Sequence, residues 1–177
     1  GDYMVCESCV RQAGGVVAQN FSEFEDLLIL SQRLHNKMVN GKRLAAVSGA
    51  GFEAVGIADN IQSDDFAVQM ASFSGTVVEK IETLLEEKGL GSLVEVKNPL
   101  DINPGADDEV HTRVVRLLAE DVGVDAVVVG LDPLSPAMRT LAGSDGHRYG
   151  LENPNSIANA LPDVAASLEK PIVGVVD

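Results

Sequence analysis

From Arg43 onward, short apolar runs alternate with amphipathic stretches. Leu44–Val47 is a continuous apolar run with no polar face to offer water, which predicts a buried parallel strand. Ser48-Gly49-Ala50-Gly51 follows as a glycine turn, and Val55, Ala58 and Ile61 then fall at helical spacing. A second strand is predicted over Phe66–Met70, and then a helix over Thr76–Lys88 with Glu79, Glu82, Glu86 and Glu87 turned outward. Leu93–Val96 reads as a short third strand, followed by Asn98-Pro99-Leu100-Asp101 and a loop. Asp107 opens the next helix, which runs to about Glu120, and Ala126–Gly130 is the cleanest buried strand. Pro133 and Pro136 break regularity, and Ser144 to Asn155 is a polar surface loop. Asn155 or Ser156 caps a last helix through Leu168, with Pro162 placed to kink or split it. Pro171–Val176 is the fifth strand. Five strands alternating with helices predict an α/β fold with a doubly wound, open, mainly parallel sheet.

The first 40 residues have a different pattern. Tyr3 to Ala13 reads as a helix ended by Gly14-Gly15, and Val16-Val17-Ala18 as a short strand. Ser22-Glu23-Phe24-Glu25 has the form of a capping box with Phe21 as its staple. The broad apolar side of Leu27, Leu28, Ile29, Leu30 and Leu34 follows, closed by His35 to Lys37 and the Asn40-Gly41 turn. The expected division is therefore a helical extension over 1–40 and an α/β domain over 41–177. Asp177 lies at the tip of the fifth strand, where a loop and usually a helix would follow, so a domain truncated at its carboxyl end is expected.

Composition narrows the class. Hydrophobic residues make up 45% of the 177 and aromatics 4%, giving an aliphatic core suited to helix-covered parallel sheets. A net charge of −14 argues against nucleic-acid partners and anionic membrane surfaces. No apolar run approaches the roughly 20 residues needed to span a bilayer, and no signal peptide opens the chain, so a cytoplasmic protein is expected. Cys6 and Cys9 form a CxxC inside a helical pattern, which reads as packing or incidental thiols rather than a redox site.

In an open α/β sheet the ligand sits beyond the carboxyl ends of the strands. The segments expected there are Ser48–Glu53, Ser72–Gly75, Asn98–Gly105, Leu131–Ser135 and the tail after Val176. Of these, the glycine turn carries the clearest chemistry. The first amides of its helix have no intrahelical partner, and such a helix start attracts phosphate; equally, two glycines suit a compact strand-to-helix turn. Asp101 reads foremost as a structural carboxylate taking loop N–H groups, and Asn98 as a bridge between loops. His111 lines up with Val114, Val115 and Leu118 and is expected to pack, His35 sits in a last helical turn, and His147 lies in a loop beside Arg148. No metal cluster, catalytic triad, Walker pattern or GxGxxG is present. Receiver domains and flavodoxins are disfavoured: the first strand ends in Ser48-Gly49 rather than acidic residues, and the only large aromatics with a polar handle are Tyr3 and Tyr149.

Gly41-Lys42-Arg43-Leu44-Ala45-Ala46-Val47-Ser48-Gly49-Ala50-Gly51, then Asn98-Pro99-Leu100-Asp101, then Gly123-Val124-Asp125-Ala126-Val127-Val128-Val129 together resemble nucleoside-diphosphate-forming acyl-CoA synthetases. These are the ADP-forming acetate–CoA ligases and their relative succinyl-CoA synthetase. Arg11-Gln12-Ala13-Gly14 strengthens the likeness, and Gly1-Asp2 resembles the pair that follows the family's phosphohistidine segment, Ser-His-Thr-Gly. The resemblance implies a flavodoxin-like ligase domain of the succinyl-CoA synthetase type, preceded by the end of another domain and linking helices. It implies a reaction from acyl-CoA and phosphate, through acyl phosphate and a phosphohistidine outside this chain, to nucleoside triphosphate. No catalytic residue and no bound cofactor or metal are expected within the chain itself. CoA, ATP or ADP and Mg are implied for the full enzyme, with CoA-binding and ATP-grasp domains as partners in an oligomer. Ser48, Gly49, Ala50, Gly51, Phe52 and Glu53 are implied to face the phosphohistidine, with Asn98 and Asp101 as the supporting loop. Many relatives carry Asn-Ala-Gly-Gly-Pro-Gly at this turn, whereas Glu53 here places a negative charge where a phosphate would come. A non-catalytic, ligase-like scaffold or a regulatory domain with a degenerate anion site stays open as the alternative.

Overall fold

A computed structural model describes residues 1–61, 67–146 and 150–176. Phe66, the first residue of the expected second strand, and the loop residues His147, Arg148 and Tyr149 lie outside the described residues, as does Asp177. The chain divides into two compact units, Gly1–Lys37 and Met38–Asp177.

The first unit is two helices, α1 (Tyr3–Gln12) and α2 (Phe21–Leu34), neither of which buries a residue. Asp2 caps α1 by accepting the Met4 N–H at 2.9 Å, and Gly14, at a φ of +81°, ends it. The cap of α2 is Asn20, two residues before the expected Ser22. Its Oδ1 accepts the Glu23 N–H at 2.9 Å while Glu23 reaches back to the Gln19 N–H at 2.6 Å. Asn20 and Glu23 have the same spacing as the expected box and capture Phe21 into the helix. Residues 16–18 form no strand, because an isolated run has no edge to pair with. Cys6 and Cys9 are free and exposed on α1, so neither is a packing thiol.

The second unit contains β1 (Arg43–Ser48), α3 (Gly51–Asp59), β2 (Gln69–Met70), α4 (Gly75–Glu87), β3 (Leu100–Asp101), α5 (Asp108–Glu120), β4 (Ala126–Leu131), α6 (Ile157–Ser167) and β5 (Ile172–Val176). All pairings are parallel in the order β2-β1-β4-β5, with β3 also on β1. β4 occupies one edge of β1 from Leu44 to Ser48, so β2 and β3 share the other edge, at Arg43–Leu44 and Val47–Ser48 respectively.

Asn98 fills the gap between them. Its Oδ1 accepts the Ala46 N–H at 3.0 Å, and its Nδ2 donates to Leu44 O at 2.7 Å and Ala71 O at 2.9 Å. A side-chain amide thus stands in for the missing peptide group, which answers the demand that β1's buried backbone be paired. This corrects the expected third strand: Leu93–Val96 is not extended in the sheet, and pairing resumes only at Leu100.

Ala45, Val47, Leu100, Val127 and Val129 meet Ile81, Leu84 and Leu85 of α4, Val110, Val114, Val115 and Leu118 of α5, and Ile157, Leu161 and Val164 of α6 in one aliphatic core. α5 packs between α4 and α6, whereas α3 packs on β1, β3 and β4 over the face that carries Ala46, giving the two-sided cover of a doubly wound sheet. Pro162 neither splits α6 nor ends it; the helix runs through to Ser167.

Candidate functional site

β1 pairs on one side with the lane whose chain enters from α3, and on the other with β4, whose chain enters from α5. The switch point of the sheet is therefore the crevice between the carboxyl ends of β1 and β4, beside Ser48 and Gly130. The glycine turn sits at its mouth.

Ser48 is buried at the end of β1, and its Oγ accepts the Ala50 N–H at 2.9 Å. Ala50 is the N-cap of α3 and supplies no side-chain bond. The Glu53 and Ala54 N–H groups turn back to Ala50 O, while those of Gly51 and Phe52 find no acceptor among the described residues. Such a helix start carries partial positive charge. The Phe52 side chain is exposed and leaves the amides uncovered.

Glu53 folds back across the crevice. Its Oε2 accepts a hydrogen bond from the Ser48 hydroxyl. It lies so close to β4 that a Cβ on Gly130 would come within 2.6 Å of it. Only a glycine at Gly130 leaves room for this carboxylate. Glu53 neither turns to solvent nor caps the helix amides: at the third helical position it reaches Ser48 directly, and the hydroxyl donates to it.

Gly49 lies over His111 of α5. A Cβ there would meet the ring Nε2 at 3.3 Å. His111 is buried as expected. Its Nδ1 contacts Asp107 O at 3.0 Å, a bond that needs Nδ1 to carry the proton and leaves Nε2 as a lone pair. That Nε2 has no hydrogen-bond partner. Burial holds the imidazole's pKa below its ordinary value, opposed by the Asp107 carbonyl and by the charges of Asp108, Asp107 and Glu53.

Asp101 Oδ2 would lie 2.7 Å from a Cβ on Gly51, and its Oδ1 accepts the Asn103 N–H at 2.9 Å. Asp101 is therefore a loop-forming carboxylate at the rim of the turn. Asn98 belongs instead to the middle of β1, at Leu44 and Ala46, and not to the turn. His111, Gly130 and Asn103, which adopts a φ of +73°, were not singled out as site residues. A glycine ending an otherwise apolar strand at Gly130 and a histidine in the first turns of the helix after β3 are the signals that pointed there. Among the described residues, no group of three or more His, Cys, Asp or Glu side chains is placed to hold a metal, and no helix is long and apolar enough to cross a membrane.

A parallel, doubly wound sheet with helices on both faces defines a flavodoxin-like α/β domain. No family model matches the chain. In sequence it is 27% identical over 128 residues to the ADP-forming acetate–CoA ligase II subunit alpha of Pyrococcus furiosus, a match covering 72% of this chain and 26% of that one. It is 29% identical over 133 residues to the ADP-forming acetate–CoA ligase I of Archaeoglobus fulgidus, covering 75% of this chain and 18% of that one. The chain thus spans about a quarter or less of the length of these curated relatives. In fold it is similar to PH0766 of Pyrococcus horikoshii OT3, with a TM-score of 0.71 at 23% identity over 100% of this chain and 36% of that one. It is likewise similar to the dinucleotide-forming acetyl-coenzyme A synthetase 1 of Ca. Korarchaeum cryptofilum in complex with phosphate and ADP, with a TM-score of 0.68 at 18% identity over 99% and 33% of the two chains. In sequence the chain is thus similar to ADP-forming acetate–CoA ligases.

Proposed function

We propose that this chain is the ligase domain of a nucleoside-diphosphate-forming acyl-CoA synthetase, residues 41–177, preceded by linking helices and the end of another domain over 1–40. The full enzyme interconverts acyl-CoA, phosphate and ADP with free acid, CoA and ATP. The phosphoryl group passes through a histidine outside this chain, and the Ser48–Glu53 turn faces that group. The observation that carries the reading is the start of α3: two amides with no acceptor among the described residues, at the switch point of the sheet, in a chain similar to ADP-forming acetate–CoA ligases. Backbone donors fixed in place before the reaction stabilise charge on a transferring phosphoryl group without reorganising. CoA-binding and ATP-grasp domains, and assembly into an oligomer, belong to the rest of that enzyme. Mg and the nucleotide belong with those other domains in this reading.

A second reading is favoured by one observation, the Glu53–Ser48 contact. A turn that holds its own carboxylate is a scaffold element, and the domain then serves by architecture alone. Expression of the full reading frame separates the two. ATP formation from acetyl-CoA, phosphate and ADP, together with an acid-labile, base-stable phosphoryl label on the protein, supports the catalytic reading; an intact, folded protein with neither supports the scaffold.

A further inference from the structure

The turn combines two kinds of group that reject opposite ligands. The Gly51 and Phe52 amides are donors with no acceptor among the described residues, and they repel a cation. Around them stand acceptors: the Glu53 carboxylate beside Ser48, the Asp101 carboxylate at Gly51, and the buried, unpartnered Nε2 of His111 beneath Gly49. A bare oxyanion offers the amides acceptor oxygens but meets the carboxylates with nothing to donate. An oxyanion that still carries a proton satisfies both sets, since its P–O oxygens accept from the amides and its O–H donates to a carboxylate.

We propose that the turn selects protonated phosphoryl oxyanions such as hydrogen phosphate, and that Glu53 is the residue that rejects unprotonated anions of like size and charge such as sulfate. The inference rests on the reading of the turn as phosphoryl-facing and adds its specificity. Glu53 is held ready for this role: Gly130 leaves it room over β4, and the Ser48 hydroxyl fixes one carboxylate oxygen at the crevice. His111 lies beneath Gly49 and, while its ring is neutral with Nδ1 protonated, offers the turn an unpartnered acceptor and no donor.

The test is a titration of the 177-residue chain with inorganic phosphate and, separately, sodium sulfate at constant ionic strength and neutral pH, read on the Gly51 and Phe52 amide resonances. Phosphate is expected to shift both amides, with sulfate weaker by about tenfold or more, because a site built for a ligand hydroxyl penalises its absence. Glu53→Gln, which keeps the shape and removes the charge, is expected to bring the two anions within about twofold. Equal binding of phosphate and sulfate to the unaltered chain overturns the inference and leaves the phosphoryl-facing reading standing. A preference that survives in Glu53→Gln overturns the assignment to Glu53. If neither anion moves those amides in either protein, the phosphoryl-facing reading itself fails, and the inference with it.

Discussion

The Asp125 carboxylate receives Arg43 three times over. The guanidinium donates Nε to Oδ2 at 2.9 Å and an Nη to Oδ1 at 2.8 Å, and the backbone N–H of Arg43 reaches Oδ2 at 2.9 Å. The start of β1 is thereby fixed to the start of β4. Gly41 lies against the same carboxylate, where a Cβ would collide with Oδ2. Three residues from two separated motifs, Gly41, Arg43 and Asp125, thus form one fastening.

That fastening sets an acid limit. Hydrogen bonds from the Arg43 side chain and backbone hold the Asp125 pKa down at about 2, against 3.8 ordinarily. The folded state prefers the ionised carboxyl, so its contribution is full above about pH 4 and is lost as pH falls toward 2. Asp125→Ala is expected to cost about 2 kcal/mol at pH 7 by urea denaturation, with the difference from the unaltered chain shrinking across that window.

Asn98→Ala should be more damaging than its half-buried position suggests. It leaves the Ala46 N–H and the Leu44 O partly unpaired inside the sheet, at about 2–3 kcal/mol. Asn98→Asp should not rescue it, because a carboxylate cannot donate to Leu44 O and Ala71 O. Hydrogen exchange at the Ala46 amide reports the loss directly; unchanged protection in Asn98→Ala would remove Asn98 from this role.

Two glycines near α3 are expected to respond in opposite directions. Gly130→Ala drives a methyl group into the Glu53 carboxylate and the Ser48 side chain and should destabilise by about 1–3 kcal/mol. Gly56→Ala, inside α3 with open space where its Cβ would go, should stabilise by about 0.5–1 kcal/mol. Thermal melts of the two variants give the signs.

His111 adds a second pH dependence. Its folded pKa is lowered by burial, so below the ordinary imidazole value of 6.5 the unfolded chain takes up a proton that the folded chain refuses. Stability should therefore decline as pH falls from about 6.5, and His111→Phe should flatten that slope. A slope of equal size in the variant would assign it to other groups.

The isolated chain is expected to form no ATP from acetyl-CoA, phosphate and ADP, since the phosphoryl-carrying histidine and the nucleotide site are assigned elsewhere. Steady turnover by the purified chain would refute that assignment.

What the sequence revealed follows from the length of each signal. Leu44–Val47, Ala126–Gly130 and the apolar stripe of α5 each repeat one message over several residues, and all three fall where the pattern put them. β3 is two residues long, too short for any periodicity, while the alternating Leu93–Val96 imitates a strand but joins no partner. The turn was legible as a helix start from its glycines alone. The fold-back of Glu53 was not, because it depends on Gly130, which reaches Ser48 only through the β1–β4 register.

The divided lane beside β1 has a consequence for how the chain assembles as it is synthesised. The root of β1 gains a neighbour once Gln69 and Met70 have emerged, but its tip at Val47 and Ser48 waits for Leu100 and Asp101, after the whole of α4. On that edge the glycine-turn end of β1 is therefore paired after the root, and β4 closes the other edge of both only later. A ribosome-bound chain stalled between α4 and β3 would present β1 with its base paired on one edge and its tip open on both.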